Sequence, residues 1–176
     1  MLKKYICLLR AVNVGGNNLL PMKDLRAELT KAGFRNVQTY LQSGNLILED
    51  RRELNDVNGC ITNLIKNKFN LDIICFTYVN GNFKSFFKSN PFSDVSLDHK
   101  KIYFSFLETK PDQDLLDEFL NFDFQGEKFR YKEGILYCYY ENGYGKSRMN
   151  GSSIEKKLKV SCTTRNFNTV QKLASS

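Results

Sequence analysis

The chain of 176 residues has a single histidine, three prolines and no apolar run near the ~20 residues a membrane-spanning helix needs. With His99 alone, neither a histidine-based triad nor a multi-histidine metal hydrolase is expected. The five cysteines, Cys7, Cys60, Cys75, Cys138 and Cys162, are odd in number and never stand at metal-ligand spacing. They are expected as reduced, mostly buried thiols, with neither zinc site nor disulfide frame. No apolar stretch follows Lys3 and Lys4 to serve as a signal peptide, so a cytoplasmic chain is expected, with no membrane partner and no cofactor. What is present, 41% hydrophobic and 26% charged residues, excludes disorder and collagen-like repeats and suits one large domain or two small ones.

The net charge of +7 is concentrated. From Asn142 to Ser176, Lys146, Arg148, Lys156, Lys157, Lys159, Arg165 and Lys172 face only Glu155, so this tail carries +6. Such a field raises the local concentration of anionic ligands and favours phosphate-bearing partners, a nucleotide or nucleic acid. A solvated basic helix face is the plain alternative.

Periodicity predicts a buried strand over Tyr5 to Val12, a polar loop, and a helix with Met22, Leu25, Leu29 and Ala32 on one face, Pro21 in its first turn and Gly33 at its stop. Val37 to Gln42 and Asn45 to Glu49 read as a hairpin across Ser43-Gly44. A helix with Leu54, Val57, Ile61, Leu64, Ile65 and Phe69 follows, then a strand over Asp72 to Val79. That order, β-α-β-β-α-β, is the ferredoxin-like unit. After a short helix with Phe83, Phe86 and Phe87, residues 93–100 read as a linker.

The second half repeats the order: a strand over Lys101 to Leu107, a helix opened by Pro111, a hairpin across Glu133-Gly134, and a helix whose Ser152 and Glu155 stand at capping-box spacing. An edge strand over Val160 to Thr163 and a last helix with Phe167, Val170 and Leu173 complete it. The fold class expected is α+β, two tandem ferredoxin-like (α/β-plait) domains with antiparallel sheets, over 1–92 and 101–176.

Four segments carry candidate chemistry. In the loop after the first strand, Arg10, Asn13, Gly15, Gly16 and Asn17 surround a Gly-Gly pair whose N–H groups, with the helix beyond, make a plausible anion cradle. An ordered turn explains the glycines equally well, but Arg10 closes an apolar strand where burial calls for an anionic partner or a carboxylate. Gln42, Ser43 and Asn45 place amides and a hydroxyl at the hairpin tip, beyond what Ser-Gly turn chemistry requires.

Lys146, Ser147 and Arg148 complete a Gly-Lys-Ser sequence that fails as a Walker A motif, because Tyr140 stands where the first glycine belongs. The loop nevertheless offers ammonium, hydroxyl and guanidinium groups to a phosphate. Thr164, Arg165, Asn166 and Asn168 precede the last helix. Thr164 or Asn166 can cap it, while Arg165 lies at the unfavourable end of the helix dipole and suits an anion better. The aromatics of the second unit's strands lack the RNP1 pattern of RNA-binding sheets, so core packing or an interdomain seam is their expected use.

Leu9 to Gly16, Thr39 to Asn45, Asn90-Pro91-Phe92 and Thr163 to Val170 together resemble the bacterial domain of unknown function 1697 family, in consistent order from about Tyr5 to Leu173. The resemblance implies tandem ferredoxin-like domains and no established activity. Ala11 stands where the family usually has glycine and Phe167 where it has tryptophan, and Lys146-Ser147-Arg148 reverses the family's Arg-Ser-Lys, which alters donor geometry.

The first functional expectation is a binding protein for a phosphate-bearing ligand in a cleft between the two domains, held by polar loops and arginines. An enzyme acting on an anionic small molecule by phosphoryl or acyl transfer, with Ser43 or Ser147 as nucleophile, ranks lower because no base is visible near either serine. A non-enzymatic interaction module with an aromatic interface is the third.

Overall fold

The chain folds as predicted in element order, because short continuous apolar runs mark the inner strands and apolar residues recur near every 3.6 positions in the helices. A computed structural model describes residues 1–93 and 96–176; Asp94 and Val95, inside the expected linker 93–100, lie outside the described residues. It is a mixed α+β structure with two four-stranded antiparallel sheets and, among the described residues, six α-helices. The chain divides into two compact units, Met1–Ser85 with Ser176, and Phe86–Ser175.

The first unit runs β1 (Lys3–Leu9), α1 (Met22–Lys31), β2 (Arg35–Tyr40), β3 (Asn45–Asp50), α2 (Leu54–Phe69) and β4 (Cys75–Val79), followed by α3 (Asn80–Lys88), which crosses the division. Its sheet order is β2-β3-β1-β4. Met22, Leu25 and Leu29 of α1 and Val57, Ile61 and Ile65 of α2 are buried, and they form one core with Tyr5, Cys7 and Leu9, the alternate residues of β1. Burying each such side chain contributes about 1.5–3 kcal/mol, so these stripes carry most of the unit's stability.

The second unit runs β5 (Ile102–Leu107), α4 (Gln113–Asn121), β6 (Lys128–Lys132), β7 (Ile135–Tyr139), α5 (Gly151–Leu158), β8 (Cys162–Asn166) and α6 (Phe167–Ala174), with sheet order β6-β7-β5-β8. The order matches that of the first sheet. Leu116 and Phe119 of α4 and Ile154 and Leu158 of α5 pack with Leu136, Cys138 and Tyr140. On the sheet's other face, the Phe87 and Tyr137 rings flank Phe104 at 6.2 and 5.4 Å between centroids, and Phe92 meets Tyr139 at 5.9 Å. These strand aromatics are core.

Three local expectations are corrected. Residues 41–44 form a four-residue turn, with Leu41 at φ 58° and Gly44 at φ 75°, instead of a two-residue turn at Ser43-Gly44. A Cβ on Gly44 would lie 2.7 Å from Leu9 Cβ, so close approach to β1 dictates glycine there. The cap of α5 is Asn150, whose Oδ1 accepts from Ser153 N at 3.1 Å, while Glu155 accepts from Cys162 N at 2.7 Å instead of closing a capping box. Finally, α1 begins at Met22, where it is expected, so that residues 17–21 lie between Gly15-Gly16 and the helix N-terminus that was to complete the anion cradle.

None of the five cysteines is in a disulfide: Cys60 is half-buried and the other four are buried, with the Cys138 thiol pushed up to about 12 by burial. No helix among the described residues is long and apolar enough to cross a membrane.

Candidate functional site

The two polar segments of the first unit meet. Val14 and Asn17 form an isolated bridge around Gly15 (φ 60°) and Gly16 (φ 78°), making a tight hairpin in which both central residues need the left-handed region. Asn13 pins this loop to the β2–β3 turn: its Nδ2 donates to Gln42 O at 2.7 Å and to Leu20 O at 2.9 Å, and its Oδ1 accepts from Leu20 N at 2.8 Å. Asn45 is buried and donates to Tyr40 O and Ser43 Oγ. The amides of Asn13 and Asn45 therefore serve the backbone of the two turns. Gln42 and Asn17 are exposed, Arg10 and Ser43 half-buried, and Val14, Leu19 and Leu41 stand out as exposed apolar residues around the same loops.

In the second unit, Thr164, Arg165 and Asn166 make contacts within the protein. Asn166 caps α6 through Oδ1, which accepts from Thr169 N at 2.9 Å, and the Thr164 hydroxyl pairs with Ser105 Oγ at 2.7 Å. Arg165 is only 8% exposed; its Nη1 donates to Thr163 Oγ1 at 2.7 Å and Thr164 O at 2.9 Å. Burial pulls its guanidinium down to about 10, so it stays charged at neutral pH. Asn168 is exposed on α6.

Lys146 and Arg148 have a different setting. A groove of about 580 Å³ opens in the second unit, and Lys146, Arg148 and Lys157 supply its cations. The connection from α4 to β6 lines it as well, through Phe122, Asp123 and Glu127. The Asn142 amide lines it too, whereas Thr164, Arg165, Asn166 and Asn168 do not. Lys157 Nζ stands 4.8 Å from the centre of the Phe122 ring, a cation–π contact that leaves Phe122 55% exposed. Among the described residues no ion pair engages Lys146, Arg148 or Lys157, although two carboxylates share the groove.

The basic loop is held in place from below. Tyr144 stacks on Tyr103 at 4.6 Å, Tyr140 donates to Met149 O at 2.8 Å, and Ser147 Oγ donates to Glu127 Oε2 at 2.9 Å while accepting from Met149 N at 2.8 Å. Ser147 thus ties its own loop to the start of β6, with Lys146 and Arg148 presented on either side of it. Phe122, Asp123, Glu127 and Lys157 escape a reading of the chain alone, since only packing of α4 against α5 brings Phe122 to Lys157. The Phe-Asp-Phe sequence at 122–124, aromatic and acidic at a helix end, was the available signal. Among the described residues no cluster of three or more His, Cys, Asp or Glu is arranged to hold a metal ion.

A family model for Protein of unknown function (DUF1697) matches residues 2–137. The chain belongs to the DUF1697 family. The matched segment includes the Phe122–Glu127 side of the groove and ends before the loop that carries Lys146 and Arg148. Among solved structures, this DUF1697 chain is similar to the conserved bacterial protein SP0830 from Streptococcus pneumoniae, with TM-score 0.80 and 22% identity over 99% of this chain and 98% of that one. At that identity the likeness establishes the fold. No curated protein matches the chain.

Proposed function

We propose that this DUF1697 protein binds a phosphate-bearing ligand, a nucleotide or nucleic acid, and that the site is the groove of the second unit. The observation that carries this is the gathering of Lys146, Arg148 and Lys157 in one groove beside the exposed ring of Phe122. Cations supply charge-assisted contacts to phosphate oxygens and the ring supplies a stacking surface, the two contacts a nucleotide requires. The loop's attachments through Tyr144 and Ser147 support the reading, because a site fixed beforehand loses less entropy on binding. We further infer that each unit is a ferredoxin-like α/β-plait domain, on the support of the β-α-β-β-α-β order and the shared strand order of the two sheets.

Arg10 and Arg165 are not needed in this site. The buried setting of Arg165 favours a structural role, and the Gly15-Gly16 hairpin is explained by its own turn geometry. Turnover of an anionic substrate is the weaker reading: the Ser147–Glu127 hydrogen bond pairs a hydroxyl with a carboxylate, but that hydroxyl also accepts from Met149 N and holds its loop.

Fluorescence polarisation with labelled nucleotides and a short oligonucleotide at low salt tests the proposal. Lys146→Ala combined with Arg148→Ala is expected to weaken binding about a hundredfold, as loss of two charge-assisted contacts at roughly 1.5 kcal/mol each implies. Unchanged affinity for every ligand bound would remove it.

A further inference from the structure

The groove of the second unit has two chemically different walls. The stretch 122–127 contributes an exposed ring, the carboxylates of Asp123 and Glu127 and the Gln125 amide, with no cation. The loop at 142–149 and α5 contribute Lys146, Arg148 and Lys157, with no carboxylate in the lining. A bare phosphate suits only the second wall. Asp123, which accepts from Gln125 N, and Glu127, which accepts from Ser147 Oγ, keep further acceptor capacity that a bare phosphate, having no donor to offer them, leaves unused.

Resting on the phosphate reading above, we infer that the groove selects a guanine nucleotide, its phosphate on the basic wall and its base over Phe122 with its N–H edge toward Asp123. The volume, about 580 Å³, is within the range of small-molecule sites. Phe122 is 55% exposed and is steadied by Phe124, whose ring lies 4.8 Å away and is itself wedged against Phe119 and Phe129 at 5.0 and 4.7 Å. A flat base covers such a ring favourably. Asp123 is oriented by its own turn: Oδ1 accepts from Gln125 N at 2.8 Å, which holds the carboxylate and leaves it further acceptor capacity. A carboxylate meets guanine's parallel N1–H and N2–H donors with two acceptors. Adenine offers it one amino group beside a ring nitrogen that is itself an acceptor, so the same wall disfavours adenine.

Calorimetric titration of the intact chain with guanosine, inosine and adenosine monophosphates and with inorganic phosphate tests this. The guanine nucleotide is expected to bind about tenfold tighter than the adenine nucleotide, with inosine, which lacks the N2 amine, between them. Asp123→Asn keeps an oxygen for the Gln125 turn, so the fold is retained, and it should bring the guanine and adenine affinities to within about twofold while phosphate binds at least as well. Phe122→Ala should weaken both nucleotides and leave phosphate unchanged. Guanine binding no tighter than adenine or phosphate, or a preference that survives Asp123→Asn, overturns the inference and leaves the phosphate reading standing. Failure of all four ligands to bind overturns both.

Discussion

Asn13 shows how a residue that reads as a ligand contact becomes a structural one. Three hydrogen bonds run between its amide and the main chain of Leu20 and Gln42, and its backbone sits at φ 55°, a region asparagine tolerates better than most residues. Asn13→Ala strands those partners and is expected to lower unfolding free energy by roughly 2–3 kcal/mol, read as a shift in urea midpoint. Gly44 makes the complementary case: Gly44→Ala sets a methyl 2.7 Å from Leu9 Cβ at positive φ, and a loss of about 2–4 kcal/mol is expected in the same assay.

Asp50 contributes to the acid limb of stability. Its carboxylate, 8% exposed, takes Arg52 Nε at 2.8 Å and Nη2 at 2.6 Å, and these bonds hold it below the usual carboxylate range. A depressed folded value means the stabilisation is complete above the unfolded pKa, about 3.9, and fades as pH falls below it. Thermal melts of Asp50→Asn should lie below the wild type at pH 7 and converge on it toward pH 2; parallel curves would contradict this.

At the scale of elements, period and capping made most of the fold legible. Leu116 and Phe119 on one face of α4, Ile154 and Leu158 on one face of α5, and the unbroken apolar run Tyr5 to Leu9 in β1 mark each element by what it buries. Turn details were less legible, because the constraint at Gly44 comes from Leu9 on another strand and the true partner of Glu155 is Cys162 N beyond its own helix. The same limit hid half the site. Lys146 and Arg148 announce themselves by composition, whereas Phe122 acquires meaning only when α4 lies against α5 and Lys157 comes over the ring. The caps give a test at this scale. Asp112 accepts from Asp114 N and Leu115 N, and Asn166 from Thr169 N; Asp112→Ala and Asn166→Ala should each cost about 1 kcal/mol in denaturant unfolding, and no change would mean these helix ends do not rely on their caps.

For the whole molecule, charge asymmetry and groove point the same way: three of the seven cations that give the stretch after Asn142 its +6, Lys146, Arg148 and Lys157, line the groove. A ligand held through several phosphate contacts displaces counterions, so affinity should fall steeply between about 50 and 200 mM salt, and the slope should flatten in Lys146→Ala/Arg148→Ala. An affinity indifferent to salt would mean that the basic tail keeps the protein in solution and does not grip phosphate. The most direct measurement is amide chemical-shift mapping of the intact, isotope-labelled chain titrated with guanosine monophosphate. The account predicts saturable shifts concentrated at Phe122 to Glu127, Asn142 to Met149 and Lys157. Shifts centred instead on the Gly15-Gly16 hairpin and Gln42, or none at millimolar ligand, would contradict it.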